Sequence, residues 1–134
     1  MSKSSPDIQS RILLTDEFAQ IRSKFRSAVT DSQSGVTFDP TNRPGVSNII
    51  TILATCTNKS PEETAGSYAS KGHAQLKADV AEAVETLLRR PREEFKRLKQ
   101  ETGYLEEIAK GGVRRAREIS GETMTLVRSQ AGLA

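Results

Sequence analysis

At 134 residues the chain has the size of one domain and can close a real core. With aromatic residues at 4% and no tryptophan, that core must be built from Leu, Ile, Val and Ala, which favours packed helices over a sandwich of sheets. A formal charge of +3 and a pI of about 9.2 suit an anionic partner, whereas a lone Cys56 and a lone His73 exclude an internal disulfide framework and give no basis for a metal site.

Residues 1–14 read as a Ser- and Lys-containing loop leading into Ile12-Leu13-Leu14, a run that periodicity alone assigns equally to a strand or a buried linker. Thr15 then has the chemistry of an N-cap with Asp16 and Glu17 in the first turn, and Phe18, Ile21, Phe25, Ala28 and Val29 fall at helical spacing. This first helix is expected to end by Asp31-Ser32, before the Ser34-Gly35 break. The stretch from Ala28 to Asn48 is rich in turn and capping residues; Asp39 precedes a proline and is biased to extended backbone, whereas Pro44 suits the first position of a helix. Arg43 is thereby placed beside a helix N-terminus.

Val46, Ile49, Ile50, Leu53 and Ala54 repeat at i, i+3, i+4, i+7 and i+8, with Ile52 and Cys56 widening the apolar arc, so this helix is expected at the centre and Cys56 as a small buried group. Ser60-Pro61-Glu62-Glu63 has the form of a capping box opening a short helix that stops near Ser70-Lys71-Gly72. From His73, expected at a helix start or on the surface, the pattern Leu76, Val80, Ala83, Val84, Leu87, Leu88, Phe95, Leu98 is one long helix, which Pro91 should kink or break near Arg89-Arg90. Thr102-Gly103 marks a turn, and Leu105, Ile108, Ala109, Gly112, Val113, Ala116, Ile119, Thr123 and Val127 give a last helix, with Gly111-Gly112 allowing a neighbour to approach. The sum is an all-α bundle of five or six helices behind a short loop.

Charge is uneven along this chain. Residues 89–117 hold ten Lys and Arg against five Glu, a distribution that suits a polyanion and equally a solvated helical face laced with Glu–Lys and Glu–Arg pairs. Catalytic constellations are absent from the spacing: no Ser–His–Asp or Cys–His set forms, and Asp31, Asp39 and Asp79 each have capping or surface explanations. The chemical candidate is Lys3, flanked by Ser2 and Ser4, because an ammonium and small hydroxyls can follow phosphate oxygens as charge builds on a leaving pyrophosphate.

Ala28-Val29-Thr30-Asp31-Ser32, then Val36-x-Phe38-Asp39-Pro40, then Arg43-Pro44-Gly45-Val46-Ser47-Asn48-Ile49-Ile50 resembles the start of the C-terminal helical domain of tryptophanyl-tRNA synthetases of the bacterial and organellar type. Met1-Ser2-Lys3-Ser4 is similar to the last four positions of the class I signature Lys-Met-Ser-Lys-Ser, and the resemblance continues in order to about Leu133. The resemblance implies ATP-dependent activation of tryptophan and its transfer to tRNA(Trp), with ATP and its Mg2+ as substrate and no cofactor held by this chain alone. Residue by residue, it implies ATP binding at Met1, Ser2, Lys3 and Ser4 and a catalytic role for Lys3. Residues 1–14 are then the remnant of a Rossmann-type catalytic domain and residues 15–134 the helical domain. Because the nucleotide-binding fold of such enzymes lies upstream, the isolated chain is expected to be inactive, and the homodimer of the family to form through the missing part. Ile8, Ile12, Leu13 and Leu14 are then expected to lie bare.

For tRNA, the resemblance directs attention to Arg89, Arg90, Arg114, Arg115 and Arg117, with Arg43 second to them. Tyr68, Tyr104 and Phe95 are the rings available for stacking on bases, and each is expected in the core. No membrane partner is expected, since no apolar run approaches the ~20 residues of a spanning helix. The compartment implied is the mitochondrial matrix in a eukaryote, towards which Ser5 leans, or the cytoplasm in a bacterium. A stand-alone helical RNA-binding module, or a helical protein–protein domain, remain the alternatives in function.

Overall fold

A computed structural model describes residues 7–133. Five α-helices and one 3-10 turn (Ile8–Ser10) account for the regular structure among the described residues, with no strand: α1 (Phe18–Ser27), α2 (Pro44–Thr57), α3 (Pro61–Ser67), α4 (His73–Gln100) and α5 (Thr102–Gln130). The all-α expectation holds, at the lower of the two helix counts. The chain divides into two compact units, Met1–Arg92 and Glu93–Ala134.

The core of the first unit is aliphatic, as the composition demands. Ile21, Phe25, Val36, Val46, Ile49, Ile50, Leu53, Leu76, Val80 and Val84 are all buried, and Ile12, Ile52, Cys56 and Leu88 pack against them. Helix α2 contributes most of these residues and is the central element; burial of each such side chain favours folding by roughly 1.5–3 kcal/mol. Its ends are set locally. Pro44 occupies the first turn, and Asn58, at φ 55°, closes the helix in a left-handed C-cap. Ser60 caps α3, its Oγ accepting from the Glu63 N–H at 3.1 Å.

Helix α1 departs from expectation at both ends. Thr15 is not the cap; Glu17 is, with its own N–H donating to Gln20 Oε1 at 2.8 Å. The reason is that Asp16 is drawn inward, where its Oδ2 accepts from Lys24 Nζ at 2.5 Å and from the Leu13 N–H at 2.8 Å. The helix then stops at Ser27 rather than Asp31, because Ala28 turns to extended backbone and its carbonyl accepts from Lys77 Nζ at 2.7 Å. The following backbone runs against the first turn of α2: a Cβ on Gly45 would lie 2.5 Å from the Val29 carbonyl oxygen.

Helix α4 passes through Pro91 without a break. The expected interruption fails because Pro91 and the turn before it face solvent, with Leu87 58% exposed, so the carbonyl that loses its donor can be hydrated.

In the second unit, α5 starts one residue after α4 ends and carries no buried residue. Its apolar stripe exists but is uncovered: Leu105, Ile108, Val113, Ile119 and Val127 are all exposed. Nothing among the described residues comes within 4 Å of a Cβ placed on Gly111 or Gly112, so the close approach expected there is absent.

Candidate nucleic-acid interface

The stretch before α2 is built round Arg43, 4% exposed at the N-cap of that helix. Its guanidinium grips Asp31 with two bonds, Nε to Oδ2 at 2.9 Å and Nη2 to Oδ1 at 2.8 Å, and donates through Nη1 to Thr37 Oγ1 at 2.7 Å. Nη2 also reaches the carbonyls of Gly35 at 3.0 Å and Gln33 at 3.3 Å. His73, half-buried as the first residue of α4, brings Nε2 to 3.0 Å from the Gly35 carbonyl and 3.1 Å from Arg43 Nη2. The hydrogen bond from Arg43, with that of the Gln33 N–H and the guanidinium charge, holds the Asp31 carboxyl down at about 2. Asp39 lies below the ordinary carboxylate range because the Asn42 side chain and backbone N–H both donate to it. Arg43 is therefore a structural tie, already saturated by its own chain, and the phosphate contact expected of it is corrected.

The basic run divides by burial. Arg89 and Arg90 are exposed on α4, and Arg114, Arg115 and Arg117 are exposed on α5; none is in an ion pair among the described residues. Arg92, two residues from Arg90, is 4% exposed and turned inward. Arg97 is engaged by Glu94 and Glu101, and Lys110 lies 3.6 Å from Glu106. On α5, Lys110, Arg114 and Arg117 fall at i, i+4 and i+7 and border a shallow groove of about 600 Å³ with Ala109, Val113 and Glu118. Arg115 lies off that row by about 100° of helix rotation. The structure thus sets Arg114 and Arg117 on one face with Lys110, while Arg89 and Arg90 belong to the other unit.

The three rings separate in the same way. Tyr68 is in the core, 8% exposed, its hydroxyl donating to Asp79 Oδ2 at 2.6 Å; burial, with that bond, raises its ionisation well above the usual tyrosine value. Phe95 and Tyr104 are 42% and 51% exposed, which corrects the expectation that they are core residues. Sequence spacing flagged both as apolar helical positions, and no local signal distinguishes a covered stripe from a bare one.

The family model described as tRNA synthetases class I (W and Y) matches residues 1–89. Tryptophan–tRNA ligase 1 of Streptomyces avermitilis is 49% identical over 109 residues, covering 81% of this chain and 32% of that protein. The tryptophan–tRNA ligase of Bacillus subtilis is 37% identical over 133 residues, covering 99% of this chain and 40% of the relative. This chain belongs to the tryptophanyl-tRNA synthetases. The crystal structure of tryptophanyl-tRNA synthetase from Mycoplasma pneumoniae matches with a TM-score of 0.62 at 30% identity, over 70% of this chain and 32% of that one. The chain thus spans between about a third and two fifths of the length of the synthetases it matches.

Within that family the signature positions Met1, Ser2, Lys3 and Ser4 lie outside the described residues. The chain becomes describable at Asp7, whose carboxylate accepts from the Gln9 N–H at 2.8 Å and whose carbonyl accepts from Ser10 Oγ at 2.7 Å. Ile8, Leu13 and Leu14 are exposed as expected of this synthetase fragment, whereas Ile12 is half-buried against the core. A cleft of about 310 Å³ opens beside this segment, lined in part by Ile12, Phe25, Val29, Gly45 and Ile49. The described residues contain no cluster of His, Cys, Asp and Glu arranged to hold a metal ion and no helix long and apolar enough to cross a membrane.

Proposed function

We propose that this chain is the C-terminal part of a tryptophan–tRNA ligase, in which residues 1–14 close the catalytic domain and residues 15–134 form the helical tRNA-binding domain. The observation that carries the reading is the match of the family model over residues 1–89, continued by relatives that align over nearly the whole chain. In the complete enzyme, Met1, Ser2, Lys3 and Ser4 bind ATP, and Lys3 is the catalytic group that stabilises charge on the departing pyrophosphate while tryptophan attacks the α-phosphate. Mg2+ enters with the nucleotide phosphates. The enzyme is a homodimer through its catalytic half. The named relatives are bacterial, which supports the cytoplasm over the mitochondrial matrix as the working compartment.

Arg89, Arg90, Arg114, Arg115 and Arg117 contact tRNA(Trp) phosphates, supported by their exposure and lack of carboxylate partners. Phe95 and Tyr104 stand exposed beside the basic run and are the rings suited to stacking on splayed bases. The test is binding of a tRNA(Trp) transcript across a salt series, with Arg114, Arg115 and Arg117 reversed together to Glu. Binding is expected to be lost, and single reversals to lower the salt slope by about one each; full affinity in the triple variant would refute the interface. The same chain, mixed with tryptophan and ATP, is expected to give no pyrophosphate exchange, and measurable exchange would refute its dependence on a catalytic half.

A further inference from the structure

Three buried charges that the proposed interface leaves unused gather at one place in the first unit: Asp16, Lys24 and Arg92, between 4% and 6% exposed. Arg92 Nη1 donates to the Asp16 backbone carbonyl at 2.5 Å, Nη2 donates to Glu85 Oε1 at 2.5 Å, and Nε lies 3.9 Å from Glu17 Oε2. The Asp16 carboxylate takes Lys24 and the Leu13 N–H, and the Asp16 N–H donates to the Leu13 carbonyl at 3.1 Å. The segment Leu13–Glu17 is therefore folded into a tight turn and fastened from two sides, by Lys24 of α1 and by Arg92 of α4. Apolar side chains of similar volume would be the cheaper way to fill such a site. What charged groups add is direction, since Arg92 satisfies a peptide carbonyl that no apolar residue can hold.

We propose that Arg92 is a positioning residue. Acting through Asp16 and Glu17, it fixes the place where the chain coming from the signature residues joins the helical unit; it does not meet RNA. The inference rests on the reading of residues 1–4 as the synthetase signature. Nine positions separate Ser4 from Leu13, so the point at which Leu13 is tied sets the region that the signature side chains can search. A tie at a fixed point raises their effective concentration at a nucleotide, and a loose one lowers it. The sequence disguises this role, because Arg92 stands in the same basic run as the exposed Arg89 and Arg90.

The experiment compares the full chain with Arg92→Gln and Arg92→Lys by amide hydrogen exchange, thermal unfolding and the salt dependence of tRNA(Trp) binding. Expected for Arg92→Gln is exchange about tenfold faster at Leu13 and Asp16, as follows from losing a hydrogen bond to a charged group. Amides of Ile50 and Leu53 should be unchanged, and so should the salt slope. Arg92→Lys keeps a charge for Glu85 without the planar fork and should fall between. A rise spread evenly over α2 would overturn the proposal in favour of general stabilisation. A salt slope lowered by about one with exchange at Leu13 unaltered would overturn it in favour of a phosphate contact. If Arg92→Gln fails to fold, Glu85→Gln loosens the same guanidinium more gently, and must give a smaller rise at the same two amides or the proposal falls. Exchange is read without RNA, so a chain that binds no tRNA would sink the functional reading and leave this test standing.

Discussion

Replacing Gly45 and Gly66 by alanine should move stability in opposite directions. Both glycines lie in helices, and helix propensity alone favours alanine at each by up to about 1 kcal/mol. A Cβ on Gly66 has nothing within 4 Å, so Gly66→Ala should stabilise. At Gly45 the Cβ would stand 2.5 Å from the Val29 carbonyl oxygen, about 0.9 Å inside ordinary contact. That oxygen is backbone, and the neighbouring Ala28 carbonyl is held by Lys77, so relief requires the 28–30 segment to leave α2. Overpacking of this kind costs about 1–3 kcal/mol, which outweighs the propensity gain and leaves Gly45→Ala less stable by about 1–2 kcal/mol. At roughly 4–8 °C per kcal/mol for a unit of this size, the expected result is a clear fall in Tm for Gly45→Ala and a small rise for Gly66→Ala. Equal shifts of the same sign would refute the close crossing of Val29 over α2.

Acid should unfold the Arg43 tie in a defined window. Asp31 sits at about 2 and Asp39 is also lowered, whereas both carboxyls titrate near 3.9 when unfolded. Their contribution is present above about pH 4 and is lost as pH falls towards about 2, so the urea midpoint should drop through that range, and less steeply in Asp31→Asn. Tyr68→Phe removes the donor to Asp79 but leaves that carboxylate accepting from Gln75 Nε2 at 2.6 Å. A loss of about 1 kcal/mol is expected in urea unfolding, and a loss three times larger would mean that the hydroxyl serves a group besides Asp79.

Legibility of the fold followed the range of the interactions that set it. Pro44 and Ser60 announce helix starts because their partners are within four residues, and the period of Val46 to Ala54 reports a face that really is covered. Thr15 misled because the competing residue, Asp16, answers to Lys24 eight positions away. Arg43 is bound to residues up to 30 positions distant and Arg92 to a carbonyl 76 positions away, distances at which sequence offers only a positive charge. The signature and the family were legible from ordered short motifs. Which arginines remain open to solvent was not, since burial is a property of the folded chain.

Helix α5 has a consequence for calorimetry. A helix of 29 residues with none buried depends on its own backbone bonds and neighbouring side-chain pairs, and such helices fray by stages as temperature rises. The unit built on Ile21, Ile50 and Leu76 has a common core and melts as a whole. A heating scan should therefore show one sharp peak standing on a sloping baseline. The enthalpy under that peak belongs to about the first 92 residues, and dividing it by the whole chain length would make a well-packed unit look loosely folded.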